Sequence, residues 1–356
     1  MRLCILGGGL SSFALARALV NQKIYVDVVL QKKLFPINQT RTVGISKSNV
    51  DFFNSQILNI EKILWKLNKI EIFTDNLRKE EVLKFENKKN YLFSIVKNYE
   101  LIDILKKSLK KNKYFKLINL KNNFSHKNYD LVVNTDQNNY LTKKYFSKKI
   151  VKQYNSFAYT TIIQHEKLIN NIAFQVFTKR GPLAFLPISD KETSIVYSIH
   201  NSNSHKEDIR NLIEDNNFKF KIKKIKKIEK FELKSLILRS YYHENILAFG
   251  DLLHRIHPLA GQGFNMTIRD IMILTKIIQD RISLGLPLDK YINIEFEKKL
   301  RHKNLMFSTG IDLIHEVFNL ERKTKSSIMS KSIQILGKNP SINKFFKEIA
   351  DKGITI

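Results

Sequence analysis

The opening stretch "MRLCILGGGLSSFALARALVNQKIYVDVVLQ", residues 1–31, sets the expected fold class. The apolar run Leu3–Leu6 predicts a short buried strand and Gly7–Gly9 a tight turn. Ser11–Leu19 predicts a helix and Tyr25–Leu30 a second strand. This order opens a doubly wound α/β fold, whose first turn carries the pyrophosphate of a dinucleotide. Such a turn needs glycine where the chain bends sharply and where the backbone nears the phosphates. Gly7 and Gly9 meet both needs. Ser12 stands at the third position, where a small residue lets the helix pack close to the strand. The unpaired N–H groups near Ser11 and the positive end of the helix dipole would face the ligand. Gln31 ends the second strand in the place of a ribose-binding carboxylate and offers only a neutral acceptor. These residues leave two readings open, a nucleotide fold or a glycine turn without a ligand.

Outward from this unit, residues 48–71 read as a helix around Trp65, and residues 99–111 as a helix through Leu101, Ile104, Leu105 and Leu109. "YDLVVNTD", ending at Asp136, has the apolar run of a buried parallel strand. From about Ser156 short β-rich segments broken at Gly181-Pro182 and Ser189-Asp190 predict an antiparallel sheet in a second domain. "KFKIKKIKKIEKFELK", residues 219–234, reads as a solvated amphipathic helix edge leading into a strand, or as a membrane-facing patch. The tail, with Ile333, Leu336, Phe345, Phe346 and Ile349 among lysines, reads as a packed terminal helix or as a docking surface. The expected fold is α/β: a doubly wound dinucleotide-binding domain interleaved with a smaller antiparallel β-sheet substrate domain, and a helical C-terminus. Its expected boundaries are 1–70, 95–150 and 240–300 for the first domain, 71–94 and 151–239 for the second, and 301–356 for the helical region.

The composition suits a globular chain, with 43% hydrophobic residues and 11% aromatics. The net charge of +28 is spread along the whole length instead of gathered on one arm or face, so nucleic-acid binding is not expected. Lys, Asn and Ile rise together, as an AT-rich coding sequence would produce; an anionic membrane surface or an acidic partner is the other source of such a charge. The single cysteine, Cys4, excludes an internal disulfide and suits a reducing compartment. No apolar run reaches the roughly 18 to 20 residues of a membrane span, and no signal peptide is expected. The expected location is the cytoplasm, with the inner membrane surface as a peripheral docking place.

A second dense stretch, "GDLLHRIHPLAGQGFNMTIRD", spans residues 250–270. An apolar strand delivers Asp251 to its C-terminal end, where ligands of open α/β sheets lie. Pro258 stiffens the loop. Gly261-Gln262-Gly263 then bare the backbone at the start of a helix, a site that suits an electron-rich or negatively charged group. His254 and His257 make a poor metal pair, because their spacing falls in a loop with no third ligand. No G-x-S-x-G elbow for a serine nucleophile is present. A structural loop that caps a helix is the alternative.

Together "GGGLSS", "RTVGIS" from Arg41 and "HPLAGQGFN" resemble the FAD-dependent aromatic hydroxylases of the para-hydroxybenzoate hydroxylase type, in the form typical of ubiquinone-biosynthesis hydroxylases. The resemblance covers nearly the whole chain, strongly over 156–200 and 240–275. It implies FAD as cofactor and NAD(P)H as a transient reductant, with O2 consumed to hydroxylate a lipophilic phenolic ring. Carried position by position, it implies that Gly7, Gly9, Ser12 and Gln31 hold the ADP part, that Arg41 lies along the flavin side and that Asp251 bonds the ribityl or pyrophosphate region. Pro258 and the stretch Gly261, Gln262, Gly263, Phe264 and Asn265 would surround the flavin ring. No catalytic side chain is singled out, and no metal is implied. The family's middle motif departs here: in "DQNNYLTK" Asp136 is kept, while Gln137, Tyr140 and Lys143 replace glycine, serine and arginine, and Tyr99 replaces another arginine. These departures raise a non-catalytic subunit of a quinone-biosynthesis complex, or another flavin-dependent oxidoreductase, as alternatives.

Overall fold

The computed structural model describes residues 2–30, 38–77, 80–87, 90–119, 125–200, 208–258, 261–324 and 327–354. Gln31 lies outside the described residues. Leu3, Cys4, Ile5 and Leu6 are each fully buried, which an unbroken apolar strand achieves only at the centre of a sheet covered on both faces. That strand, β1 (Arg2–Leu6), lies in a six-stranded sheet with β2 (Tyr25–Leu30), β8 (Phe115–Asn119), β9 (Leu131–Asn134), β16 (Tyr242–His243) and β17 (Ile246–Ala248). The order β16-β17-β9-β1-β2-β8 is parallel from β17 to β8 and closed by an antiparallel pair at β16. Helix α1 (Leu10–Asn21) packs on α3 (Asn98–Lys110) and on α6 (Gly263–Ser283) over this sheet.

A nine-stranded sheet forms the second layer. It contains β5 (Lys69–Thr74), β6 (Glu81–Glu86), β10 (Lys149–His165), β11 (Ile172–Thr178), β12 (Gly181–Pro187), β13 (Glu192–His200), β14 (Ile222–Ile225), β15 (Glu229–Leu238) and β18 (His254–Arg255). Side chains alternate between its faces. Phe174, Val176, Leu183, Phe185, Ile195 and Tyr197 pack with Ile213 of α5 (Ile209–Asp215) on one face. On the other face, Ala173 and Ile162 meet Phe93 and Ile95 of a small sheet made of β3 (Thr42–Ser46), β4 (Trp65–Leu67) and β7 (Phe93–Lys97). The helices α2 (Lys47–Phe52) and α4 (Tyr140–Tyr145) are short; α7 (Lys290–Thr324), α8 (Ser327–Lys338) and α9 (Pro340–Lys352) form the C-terminal region. Gln334 Nε2 and Asn343 Nδ2 donate to the carbonyls of Glu81 and Lys84 at 2.7 Å each, so the C-terminal helices cover the edge strand β6. No helix among the described residues is long and apolar enough to cross a membrane.

Two segments differ from expectation. Residues 48–71 are not one helix. After α2 the chain makes a wide turn over Phe53–Ile57, a 3-10 turn over Glu61–Ile63, and then the strands β4 and β5. Val50, Phe53, Ile57 and Ile60 have helical spacing and are all buried, but Leu58 takes up extended backbone and ends the helix. Trp65 joins β7 instead, with its indole N–H donating to the Asn170 carbonyl at 2.6 Å. In the run 219–234 the strand β14 stands where a helix edge is expected, and the expected strand follows as β15. The long β10 leaves backbone groups that these lysine-rich segments pair with, Ile163 opposite Ile225 and Tyr159 opposite Lys230.

Glu192 ties the small sheet to the large one by accepting from Lys97 at 3.1 Å, Lys226 at 2.7 Å and Gln164 at 3.2 Å. Burial pushes its carboxyl up, but the bonds from Lys226, Lys97 and Gln164 outweigh it and hold the group at about 2. A depressed folded-state value adds stability above the ordinary carboxylate range and loses it as pH falls toward 2. Acid titration of the wild-type protein is therefore expected to show a loss of stability below about pH 4.5 that is flattened in Glu192→Gln.

Candidate active site

Gly7 has φ +115°, and a Cβ there would stand 2.3 Å from Thr135 Oγ1, so only glycine fits the turn after β1. Gly9 precedes α1 in extended conformation, and a Cβ there would meet nothing within 4 Å. The space in front of the helix N-terminus is therefore open to a ligand. Ser12 is fully buried, and its hydroxyl bonds Thr135 Oγ1 at 2.7 Å, which in turn donates to the Leu6 carbonyl at 2.8 Å. Its side chain thus supports the glycine turn from beneath.

The loop after β17 comes to the same place. Gly250 has φ +63°, and a Cβ there would stand 2.8 Å from Ser11 Cβ and Oγ, so the Gly250-Asp251 turn lies directly against the start of α1. Asp251 is exposed. Gln137 Nε2 donates to the Asp251 carbonyl at 2.8 Å. The altered middle segment is accordingly a bonded support. Asn134 Nδ2 donates to Thr142 Oγ1 at 2.8 Å, Thr142 Oγ1 donates to the Asp136 carbonyl at 2.7 Å, and Asn139 caps α4. Sequence reasoning missed this because it weighed Gln137 only against a family glycine. Gln137→Ala is expected to cost about 1 kcal/mol of stability, read by thermal melting.

Arg41 is exposed at the entry to β3, where Asn38 Oδ1 accepts from the N–H groups of Thr40 and Arg41 at 2.7 and 3.0 Å. Asn38 also bonds Glu229, and Thr42 Oγ1 lies 2.8 Å from Ser194 Oγ, so this corner is tied to the large sheet. None of these tethers has a local signature in the sequence.

The glycine-rich helix start faces β3. Gly261 has φ +62°, and a Cβ there would meet the Phe93 ring at 3.7 Å and Gly44 Cα at 4.0 Å; at Gly263 it would meet nothing within 4 Å. Asn265 is fully buried, and its side-chain amide is fully used. Oδ1 accepts from Ser46 N at 2.9 Å and Asn49 Nδ2 at 3.0 Å, while Nδ2 donates to the carbonyls of Gly44 at 3.1 Å and Gly261 at 3.3 Å. Asn265 therefore clamps the loop to β3, and Phe264 turns toward Phe53 and the core. Pro258 is exposed, and Leu259 and Ala260 lie outside the described residues. The two histidines have separate duties. His254 Nε2 meets Asp270 Oδ2 at 2.5 Å in a fully buried pair, and His257 stacks edge-on to Tyr154.

These groups suit a flavin nucleotide. The open space before Gly9 and the free helix start suit a pyrophosphate. Gln262 Oε1 is buried beside the second helix start with no hydrogen-bond partner among the described residues, an acceptor suited to a ring N–H, while the amides that open α6 suit ring carbonyls. The loop that leaves Gly250 against Ser11 arrives at Gly261 beside Gly44.

The profile described as "FAD binding domain" matches residues 200–283, which include this second helix start. Over 98% of this chain and 97% of theirs, the coordinates superpose on p-nitrophenol 4-monooxygenase of Pseudomonas putida with TM-score 0.80 at 12% identity. The chain has the fold of the FAD-dependent monooxygenases. A Klebsiella pneumoniae protein, HpxO, in complex with FAD and uric acid gives TM-score 0.77 at 11% identity over 99% of this chain and 97% of that one. In sequence, the mitochondrial ubiquinone biosynthesis monooxygenase of Danio rerio is 23% identical over 62% of this chain and 55% of its own length. The 3-demethoxyubiquinol 3-hydroxylase of Escherichia coli is 27% identical over 44% and 42%. The chain spans about half the length of the curated relatives it matches.

Proposed function

We propose that this protein is an NAD(P)H- and FAD-dependent monooxygenase that hydroxylates the aromatic ring of a polyprenylated phenolic precursor in ubiquinone biosynthesis. The observation that carries the reading is the course of the loop between β17 and α6, which begins at Gly250 against Ser11 at the start of α1 and ends at Gly261, beside Gly44 of β3, at the start of α6. The resemblance of the sequence to hydroxylases named for ubiquinone biosynthesis supports the substrate class. When bound, FAD would take electrons from NAD(P)H and, with O2, supply the oxygen that enters the ring.

Within this reading Gly7 and Gly9 admit the pyrophosphate, Asp251 holds the ribityl or pyrophosphate region, and Arg41 lies along the flavin. The α6 N-terminus stabilises negative charge at the ring through its dipole and free N–H groups, while Pro258, Gly261, Gln262 and Gly263 shape the pocket wall. Ser12, Phe264 and Asn265 serve it from behind. A lipid-tailed substrate also places the protein at a membrane surface or in a quinone-biosynthesis complex.

The test is a purified protein titrated with FAD. The expected result is saturable binding with a yellow flavin spectrum, and NAD(P)H oxidation stimulated by a phenolic lipid. A protein that stays colourless with added FAD overturns the reading. Mass spectrometry of lipids from a strain lacking the gene then identifies the missing hydroxylation from the mass of the precursor that accumulates.

A further inference from the structure

The helix α8 holds the molecule by small and polar groups and turns apolar side chains outward. Ser330 is fully buried and donates to the Glu321 carboxylate, and Gln334 Nε2 donates to the Glu81 carbonyl at 2.7 Å. Gly337 lies so close to β6 that a Cβ there would stand 2.0 Å from Leu83 Cδ2, and Ile333 packs in the same cluster as Leu83. Ile328 precedes the buried Ser330 by two residues, about half a helical turn, and so points the opposite way. Ile335, seven residues on, shares its face. The two are 77% and 69% exposed. Lys331 and Lys338 follow the isoleucines at a spacing of three on that outer face, both exposed, and α8 has no acidic residue to offset them. The next helix repeats the arrangement: Asn343 Nδ2 donates to the carbonyls of Lys84 at 2.7 Å and Gly337 at 3.2 Å, while Phe345, half a turn further, is 58% exposed. A surface helix ordinarily turns its apolar stripe to the core and its polar side to water. Here the outer line is apolar and basic, which marks a contact surface.

We propose that the outer face of α8 docks on an anionic lipid surface, with Ile328 and Ile335 entering the acyl boundary and Lys331 and Lys338 meeting the headgroup phosphates. Shape and charge select this occupant. The isoleucines project singly, with two thirds or more of each side chain in water, and a fluid acyl boundary accepts such projections without a matching shape. Lysines interleaved with them on one face add the attraction to negative headgroups that holds an interfacial helix in place. The net charge of +28 repels a second copy of the chain and draws the protein toward a negative surface. The proposal gives a place on the molecule to the membrane contact that a lipid-tailed substrate calls for. It uses none of the residues assigned to the flavin path, and its test needs no flavin, so its outcome is separate from that of the FAD titration.

The test is cosedimentation of the full-length protein, without added FAD, with vesicles of phosphatidylcholine containing about a third phosphatidylglycerol. The expected result is saturable binding that is lost on vesicles of phosphatidylcholine alone. Ile328→Ser/Ile335→Ser should weaken binding by about tenfold or more, whereas Ile169→Ser, at an 85% exposed position between β10 and β11, leaves it unchanged. Lys331→Gln/Lys338→Gln should weaken it by about tenfold, while Lys290→Gln/Lys298→Gln, the same loss of charge at exposed positions of α7, has at most a small effect. Both α8 variants should melt with the wild type; if the isoleucine variant melts early, the lysine pair decides. Absence of vesicle binding overturns the proposal. So does binding that neither α8 variant weakens, or that the α7 lysine variant weakens equally, because either would mark attraction of the whole charged molecule with no docking face. Self-association in sedimentation velocity that Ile328→Ser/Ile335→Ser abolishes, without vesicle binding, would overturn it in favour of a second copy.

Discussion

Asp270→Ala is expected to lower the unfolding free energy by about 3 kcal/mol, the upper end of the cost of leaving a buried donor without its acceptor. Asp270 is fully buried, with Oδ2 at 2.5 Å from His254 Nε2 and Oδ1 accepting from Asn304 Nδ2 at 3.3 Å. Truncation leaves both partners without an acceptor in a site that water does not reach. His254 belongs to β18, which pairs with β15 and leads into the His257–Pro258 loop, so the damage should spread to the proposed flavin pocket. Asp270→Asn keeps the shape and one carbonyl acceptor and should lose less. Urea denaturation of the three proteins measures the series. An unchanged midpoint in Asp270→Ala would show that the pair does not hold the loop.

Gly9→Val is expected to have the opposite profile, a stable apoprotein that has lost its ligand. A Cβ at Gly9 meets nothing within 4 Å, so the fold accommodates a side chain there, and the melting temperature without FAD should stay close to that of the wild type. The added branches would occupy the space before α1 that the pyrophosphate needs. FAD affinity should fall by about 100-fold, close to 2.7 kcal/mol, measured by flavin titration. Gly7→Val would not separate the two effects, because a Cβ there collides with Thr135 in the empty protein as well. Undiminished FAD binding in Gly9→Val would place the cofactor elsewhere.

The parts of the fold legible in the sequence are those written in neighbouring residues. Leu3–Leu6, the glycine turn, and the apolar face from Met266 to Ile278 declare strand, turn and helix by their own periodicity, and each element forms where expected. Trp65 and the first half of the run 219–234 misled for one reason: helical spacing of a few apolar side chains was outvoted by strand partners, Ile95 in one case and Ile163 in the other. The same holds in the site. Gly9, Gly261 and Gly263 were readable as bare backbone, whereas the bonds of Ser12 to Thr135 and of Asn265 to Ser46 and Asn49 were not.

From sequence alone came the doubly wound opening, the helix starts at α1 and α6, the largely antiparallel second sheet, whose one parallel pair among the described residues joins β5 to β11, and the likeness to flavin hydroxylases. Each rests on residues within a few positions of one another, where side-chain period and glycine's freedom dictate the backbone. Only the tertiary structure decided what those elements touch: Thr135 against Ser12, Ser46 against Asn265, Gly250 against Ser11, and Phe318 against Phe177. These partners lie more than a hundred positions apart in the chain. Their meeting depends on how the two sheets and α7 pack around shared cores, a choice made by total burial and hydrogen-bond satisfaction and carried by no single segment.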